Sequence, residues 1–162
     1  VARKDAAATP ATVALTRAGV SFRVHTYTHD PNASSFGLEA AEVLGLPPGQ
    51  VFKTLLVDAG RGLAVGIVPV DAQLDLKAMA SALGVKKVAM ADPAAAERST
   101  GYVVGGISPI GQKRRLPTVV DASALEHPTV YVSGGRRGLD IELAPADLLT
   151  MTNGRYAPIA RR

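Results

Sequence analysis

The stretch VFKTLLV, residues 51–57, reads as a buried strand with a charge in it. Val51, Phe52, Leu55, Leu56 and Val57 are the branched and aromatic residues that strand interiors favour. A continuous apolar run of this kind points to a strand covered on both faces. Lys53 sits near its middle, followed by Thr54. Burying an unpaired ammonium is costly, so the run raises the question of what Lys53 faces.

Two glycine-rich stretches offer further chemistry. In GGISPIGQK, residues 105–113, Gly106 and Gly111 have the spacing of a phosphate-binding loop, but Gln112 stands where the lysine belongs and no Ser or Thr follows Lys113. A nucleotide triphosphatase is therefore not expected. What remains is a loop whose bare N–H groups can hold a carbonyl oxygen or an anion, with Pro109 stiffening the turn, or else an ordinary connection. In VSGGRRGLDIEL, Ser133 and two arginines precede an alternating strand. Leu139, Ile141 and Leu143 are expected to face the core, with Asp140 and Glu142 opposite. Two carboxylates on one face suit general acid–base work, but more often they are just the wet face of a sheet. His25 and His29 invite a metal reading, but four residues along a strand span roughly 13 Å, too far for one zinc ion. No metal site and no cofactor are expected. No serine sits in a GxSxG elbow and no catalytic triad is legible.

Composition narrows the classes. The 162 residues suit one domain with a sizeable core, and 47% hydrophobic against 20% charged residues describe a globular chain. The absence of cysteine excludes disulfides, thiolate zinc sites and a cysteine nucleophile in the protein. Apolar runs are too short to span a bilayer, and the opening VARKDAAATPATVAL lacks the hydrophobic stretch of a signal peptide. A cytoplasmic protein is expected. The net charge is +4, and half of the 18 basic residues fall in Lys86-Lys87, Lys113-Arg114-Arg115, Arg136-Arg137 and Arg161-Arg162. Such clusters beside glycine-rich loops suit a phosphate-bearing ligand, RNA included, and also a merely solvated basic surface. With aromatics at 4%, an array of base-stacking rings is not expected.

These residues must be positioned by elements the sequence also marks. Thr9-Pro10 starts a helix that stops at Gly19, and VSFRVHTY alternates like a half-buried strand. LEAAEVLG is a short helix ending at Gly45, and DAGRG turns a hairpin from the Lys53 strand into LAVGIVPV. Asp75 and Asp92-Pro93 open two more helices. GYVV reads as strand-like, then glycine- and proline-broken, before LPTVVD. TVYVSGG and GLDIEL form a second hairpin, and APADLLTMTNG is a helix closed by Asn153-Gly154. The pattern predicts one α+β domain over residues 9–162, with a mixed, strongly curved sheet flanked by helices and residues 1–8 as an N-terminal tail.

Taken in order, TYTHDPN, FG, VFKTLL, QLDLK, KKVAMAD, RSTGYVVGGISPIGQKRRLPTVVD, YVSGGRRGLDIEL and IARR resemble the YbaK/EbsC-type Cys-tRNA(Pro) deacylases, from Thr9 to Arg162. These are freestanding relatives of the editing domain inserted in bacterial prolyl-tRNA synthetases. The resemblance implies a mixed α/β domain with a barrel-like sheet, and trans-editing: hydrolysis of misacylated Cys-tRNA(Pro), and of Cys-tRNA(Cys) as a further target. It implies tRNA and prolyl-tRNA synthetase as partners, with neither membrane nor DNA. Size discrimination between cysteine and proline is weak, so a second site must clear the error.

By the same resemblance, Lys53 is the functional strand lysine, holding the 3′ end or the ester by its charge. Gly105 to Pro109, with Gly106, Ile107 and Ser108 between, matches the loop whose backbone embraces the aminoacyl group. Tyr27 and Phe36 match wall positions, Thr54 and Ser133 supply hydroxyls, and Asp140 is an acceptor for the α-amino group or a ribose hydroxyl. The implied nucleophile is the substrate's own thiol, which attacks its ester and leaves as a cyclic thiolactone. An Ala- or Ser-tRNA deacylase and a non-catalytic tRNA- or synthetase-binding module are the alternatives.

Overall fold

Helices begin in this chain where a short polar side chain takes up an N–H of the first turn. The computed structural model describes residues 8–33 and 35–162, so the tail read at residues 1–8 lies, but for residue 8, outside the described residues. Thr9 caps α1 (Pro10–Arg17) in a reciprocal box with Thr12, and Ser35 caps α2 (Phe36–Leu44). Asp75 and Asp92 cap α3 (Leu76–Leu83) and α4 (Pro93–Thr100), while α5 (Pro145–Thr152) starts on a proline. Left-handed residues end them where the sequence placed glycine or asparagine, as at Gly45, Gly84 and Asn153.

The strands in chain order are β1 (Arg23–Thr26), β2 (Phe52–Asp58), β3 (Leu63–Pro69), β4 (Gln73–Leu74), β5 (Ala89–Met90), β6 (Thr118–Asp121), β7 (Val130–Arg136), β8 (Leu139–Leu143), β9 (Arg155–Ala157) and β10 (Ala160–Arg161). Five make a mixed sheet in the order β5-β2-β3-β6-β9, and three make an antiparallel sheet, β1-β8-β7. β4 and β10 pair separately. Inside the larger sheet, β2 and β3 are the antiparallel hairpin the sequence marked, with Lys53 opposite Val68. β6 and β9 add in parallel beyond β3.

β3 is the covered strand at the centre, and its period-2 pattern splits two cores. Val65 and Ile67 join Phe52, Leu56, Val132 and Ile141 between the sheets, while Ala64 and Val68 pack with Met79 and Ala80 of α3 on the other face. Leu139, Ile141 and Leu143 are buried, as the alternation of β8 predicts.

Two expectations differ in detail. The sheet is mixed and flanked by helices, but it does not close into a barrel: the two sheets are joined by one isolated bridge, from Val51 just before β2 to Tyr131 of β7. The register of β7 shifts between Ser133 and Arg136, and such a bulge bends the strand away from further pairing. GYVV is also not a strand. The Tyr102 ring is buried and its hydroxyl donates to the Ile110 carbonyl at 2.7 Å, folding the segment back on itself. Val103 and Val104 are left exposed. Among the described residues no helix is long and apolar enough to cross a membrane.

Candidate active site

The gap between β5 and β7 leaves part of the β2 edge uncovered. Val70 N–H donates to Val51 C=O, so the odd residues of β2 bond towards β3 and the even ones point to the opposite edge. Ala91 N–H takes the Leu56 carbonyl there, and β5 pairs only with Val57 and Asp58. The backbone of Thr54 therefore faces a cleft of about 400 Å³, bounded by β2, the start of α2, the loop at Gly105 and the β7–β8 hairpin. Tyr27, Phe36, Lys53, Thr54, Gly105, Ile107, Ser133 and Asp140 all line it.

Lys53 is half-buried and forms no ion pair among the described residues. Burial lowers its pKa, and the more distant charge of Asp71 partly opposes that shift. An ammonium so placed is electrostatically unsatisfied and suits an incoming anion. Beside it, the Thr54 hydroxyl oxygen is buried with no hydrogen-bond partner among the described residues. A buried hydroxyl left in this state costs about 1–3 kcal/mol, which a ligand that bonds to it recovers.

The loop contributes unevenly. Gly105 has φ +92°, and a Cβ there would fall 2.4 Å from Arg137 Nε, so only glycine leaves this wall open. Ile107 lines the cleft, whereas Gly106, Ser108 and Pro109 do not. Gly106 is backed against β7: a Cβ would meet Arg136 Cα at 2.8 Å. Ser108 is buried, accepting the Ile110 N–H at 3.3 Å, and Pro109 is buried beside it. These three shape the loop from behind.

Asp140 is the one carboxylate of the β8 pair that enters the cleft. It is 6% exposed, and burial pushes its pKa up to about 7. Its charge, after burial itself, helps to push Tyr27 up to about 12. Ser133 lies opposite Asp140 in the β7–β8 register and accepts the Gly135 N–H at 3.2 Å. Glu142 is occupied elsewhere, at 2.9 Å from His25 Nε2 and accepting the Thr129 hydroxyl at 2.7 Å. His29 is likewise 2.8 Å from Glu39, so neither histidine is joined to a hydroxyl of the cleft.

Arg137 belongs to the site and was read from the sequence only as one of a basic pair. Its guanidinium lies over the Phe36 ring, 4.2 Å from the centroid, and donates to the Val104 carbonyl at 2.8 Å. The proximity of Arg136-Arg137 to GG in the sequence was the available signal; both line the cleft, but nothing local said which arginine lies on Phe36.

The stretch that supplies most of this cleft matches a known family: the aminoacyl-tRNA editing domain matches residues 30–151. The chain belongs to the aminoacyl-tRNA editing domain family. Among editing-domain relatives, the candidate Cys-tRNA(Pro)/Cys-tRNA(Cys) deacylase EbsC of Enterococcus faecalis is 43% identical over 123 residues, 75% of each chain. The multifunctional Ser/Thr-tRNA deacylase ProXp-y of Escherichia coli is 29% identical over 140 residues, 83% of this chain and 81% of that one. The crystal structure of a candidate trans-editing enzyme for prolyl tRNA synthetase superposes with a TM-score of 0.83 at 27% identity, covering 94% of this chain and 96% of the other. Differences from the sequence reading thus lie within an editing-domain fold, in which the cleft is left by the unclosed sheet.

Proposed function

We propose that this protein is a trans-editing deacylase that clears cysteine from Cys-tRNA(Pro), and from Cys-tRNA(Cys), by cleaving the ester at the 3′ end. The observation that carries the reading is the unpaired Lys53 ammonium at the open edge of β2. The 43% identity to EbsC supports the substrate. The site brings together positioning groups and polar contacts, and His25 and His29, outside its lining, are bound to glutamates, so the nucleophile is assigned to the substrate.

In this mechanism the cysteine thiol attacks its own ester carbonyl carbon. A C–S bond forms, the C–O bond to the ribose breaks, and the thiol proton passes to the departing ribose oxygen. The products are free tRNA and a cyclic thiolactone, which water then opens to cysteine. Lys53 holds the terminal phosphate or the developing oxyanion by its charge, aided by loop N–H groups around Gly105. Thr54 and Ser133 offer hydroxyls to the ester or ribose, Asp140 receives the α-ammonium, and Tyr27 and Phe36 wall the pocket. Catalysis then comes chiefly from holding thiol and carbonyl at attack distance. The reading places the protein in the cytoplasm beside prolyl-tRNA synthetase, whose errors it removes.

The likeness to ProXp-y favours a second reading, in which serine or threonine esters are accepted. Single-turnover release from Cys-, Ser- and Ala-tRNA(Pro) separates the two. Cysteine-selective release supports the thiol mechanism, and equal release from Ala-tRNA(Pro), which has no side-chain nucleophile, overturns it.

A further inference from the structure

A second hollow, of about 550 Å³, lies at the other end of β2, under the β2–β3 turn. Four arginines line it: Arg61 from that turn, Arg114 and Arg115 from the segment before β6, and Arg155 at the start of β9. No carboxylate is in the lining, and none of the four forms an ion pair among the described residues.

The fold holds these arginines together deliberately enough to resist their mutual repulsion. Lys113 and Arg114 donate their backbone N–H groups to the Thr100 and Ser99 carbonyls, at 2.8 and 3.0 Å, which anchors the segment on the last turn of α4. The Arg155 guanidinium donates to the Ala82 carbonyl at the end of α3, where a helix terminus favours a cation. Ala59 N–H closes the turn carrying Arg61 on Gly62 C=O at 2.9 Å. Three basic side chains elsewhere are taken up: Arg162 pairs with Asp71, Arg161 bonds to Gln73, and Arg137 lies on Phe36. Guanidinium forks gathered without acids match phosphate oxygens.

We propose that this hollow binds backbone phosphates near the acceptor end of the tRNA whose charged 3′ terminus occupies the cleft. The assignment rests on the deacylase reading for its substrate. Both sites share the same two elements. β2 and the residue that follows it run from Thr54 in the cleft to Ala59 at the hollow, and α4 runs from Pro93 in the cleft to Ser99 at the hollow. Five residues of strand span roughly 16 Å, about the rise of five stacked nucleotides. A strand leaving the cleft along this path brings its phosphates to the arginines. The hollow acts as an anchor that orients the substrate and adds affinity without touching the ester.

The test measures binding of uncharged tRNA, and single-turnover deacylation, for wild type, the Arg114→Gln/Arg115→Gln double variant, Arg61→Gln and a remote exposed control, Arg17→Gln. Salt is varied from about 50 to about 200 mM, and an aminoacylated CCA trinucleotide serves as a substrate without an acceptor stem. The double variant should bind tRNA about tenfold or more weakly and lower the slope of log K against log salt by about 2, with Arg61→Gln lowering it by about 1. Arg17→Gln and all rates on the trinucleotide should match wild type. Unchanged tRNA affinity and salt slope in both hollow variants overturn the proposal, even if the hollow takes up free pyrophosphate. Equal losses on tRNA and trinucleotide overturn it as well, because the effect then arises in the cleft or the fold. Should the double variant melt early, Arg61→Gln, in an exposed turn, carries the same decision. Because binding is read with uncharged tRNA, wild type that binds with the expected slopes but releases no amino acid supports the hollow and sinks the deacylase reading.

Discussion

The Arg137 guanidinium stacks over Phe36 at 4.2 Å while the same side chain donates to Val104 C=O at 2.8 Å, tying the first turn of α2 to the loop before Gly105. These are two walls of the cleft, joined by one cation. Replacing Arg137 by Ala should lower kcat/KM about tenfold, the equivalent of one cation–π contact and one charged hydrogen bond partly offset by water. Arg137→Lys should recover little, because an ammonium has neither the flat face nor the fork. Full activity in Arg137→Ala would show that the walls hold without the clamp.

Lys53 has no ion pair among the described residues to leave orphaned, so Lys53→Ala should fold with a melting temperature close to wild type. Its single-turnover rate should fall by about 10²–10³, the cost of losing one donor aimed at developing charge. A variant slowed less than about tenfold would remove Lys53 from the chemistry.

Thr54→Val keeps the shape and deletes a buried hydroxyl that has no partner among the described residues. The free protein should become more stable by about 1 kcal/mol, while kcat/KM falls. Thermal melts and kinetics on the same preparation decide this. A loss of stability would mean that the hydroxyl is satisfied in solution.

Asp140 is raised to about 7 by burial, so in the folded protein it holds its proton where an unfolded chain, near 3.8, does not. Between those values the native state binds more protons, and stability is present below about pH 4 and lost as pH rises through about 7. The loss accrues at about 1.4 kcal/mol per pH unit, to roughly 4 kcal/mol. Asp140→Asn lacks this titration, so its advantage over wild type in urea melts should be small near pH 4 and large at pH 8. Parallel pH courses for the two proteins would contradict the buried-carboxyl account.

Gly106→Ala places a Cβ 2.8 Å from Arg136 Cα, against backbone that a rotamer change cannot move. Overpacking of this kind costs about 1–3 kcal/mol, and the loop should shift away from β7. Lower melting temperature with raised KM is expected. A variant matching wild type in both would show that the loop has room to adjust.

Much of the scaffold was legible because its signals are local. Thr9, Asp75 and Asp92 cap helices through bonds to residues three positions on, and Gly45 and Asn153 end helices by their own φ. The Lys53 strand and its hairpin follow from period and turn chemistry, and β8 buries the leucines and isoleucine that its alternation selected. The resemblance of ordered motifs then pointed to eight residues that the structure gathers in one cleft.

GYVV illustrates the limit. Its letters favour a strand, yet the buried Tyr102 hydroxyl bonds to Ile110 and the segment coils, because tertiary contact outweighs a short run's propensity. Asp140 alternates onto the nominally wet face of β8, but the cleft around it is dry enough to raise its pKa. Which of Gly105 to Pro109 face the cleft, which arginine of the pair turns onto Phe36, and how Arg61 and Arg155 join Arg114 were likewise decided only by folding. The sequence by itself determined the elements, whose hydrogen bonds span a few residues. Tertiary structure alone decided the exposure and company of each charge, since both depend on chain segments that no local pattern can bring together.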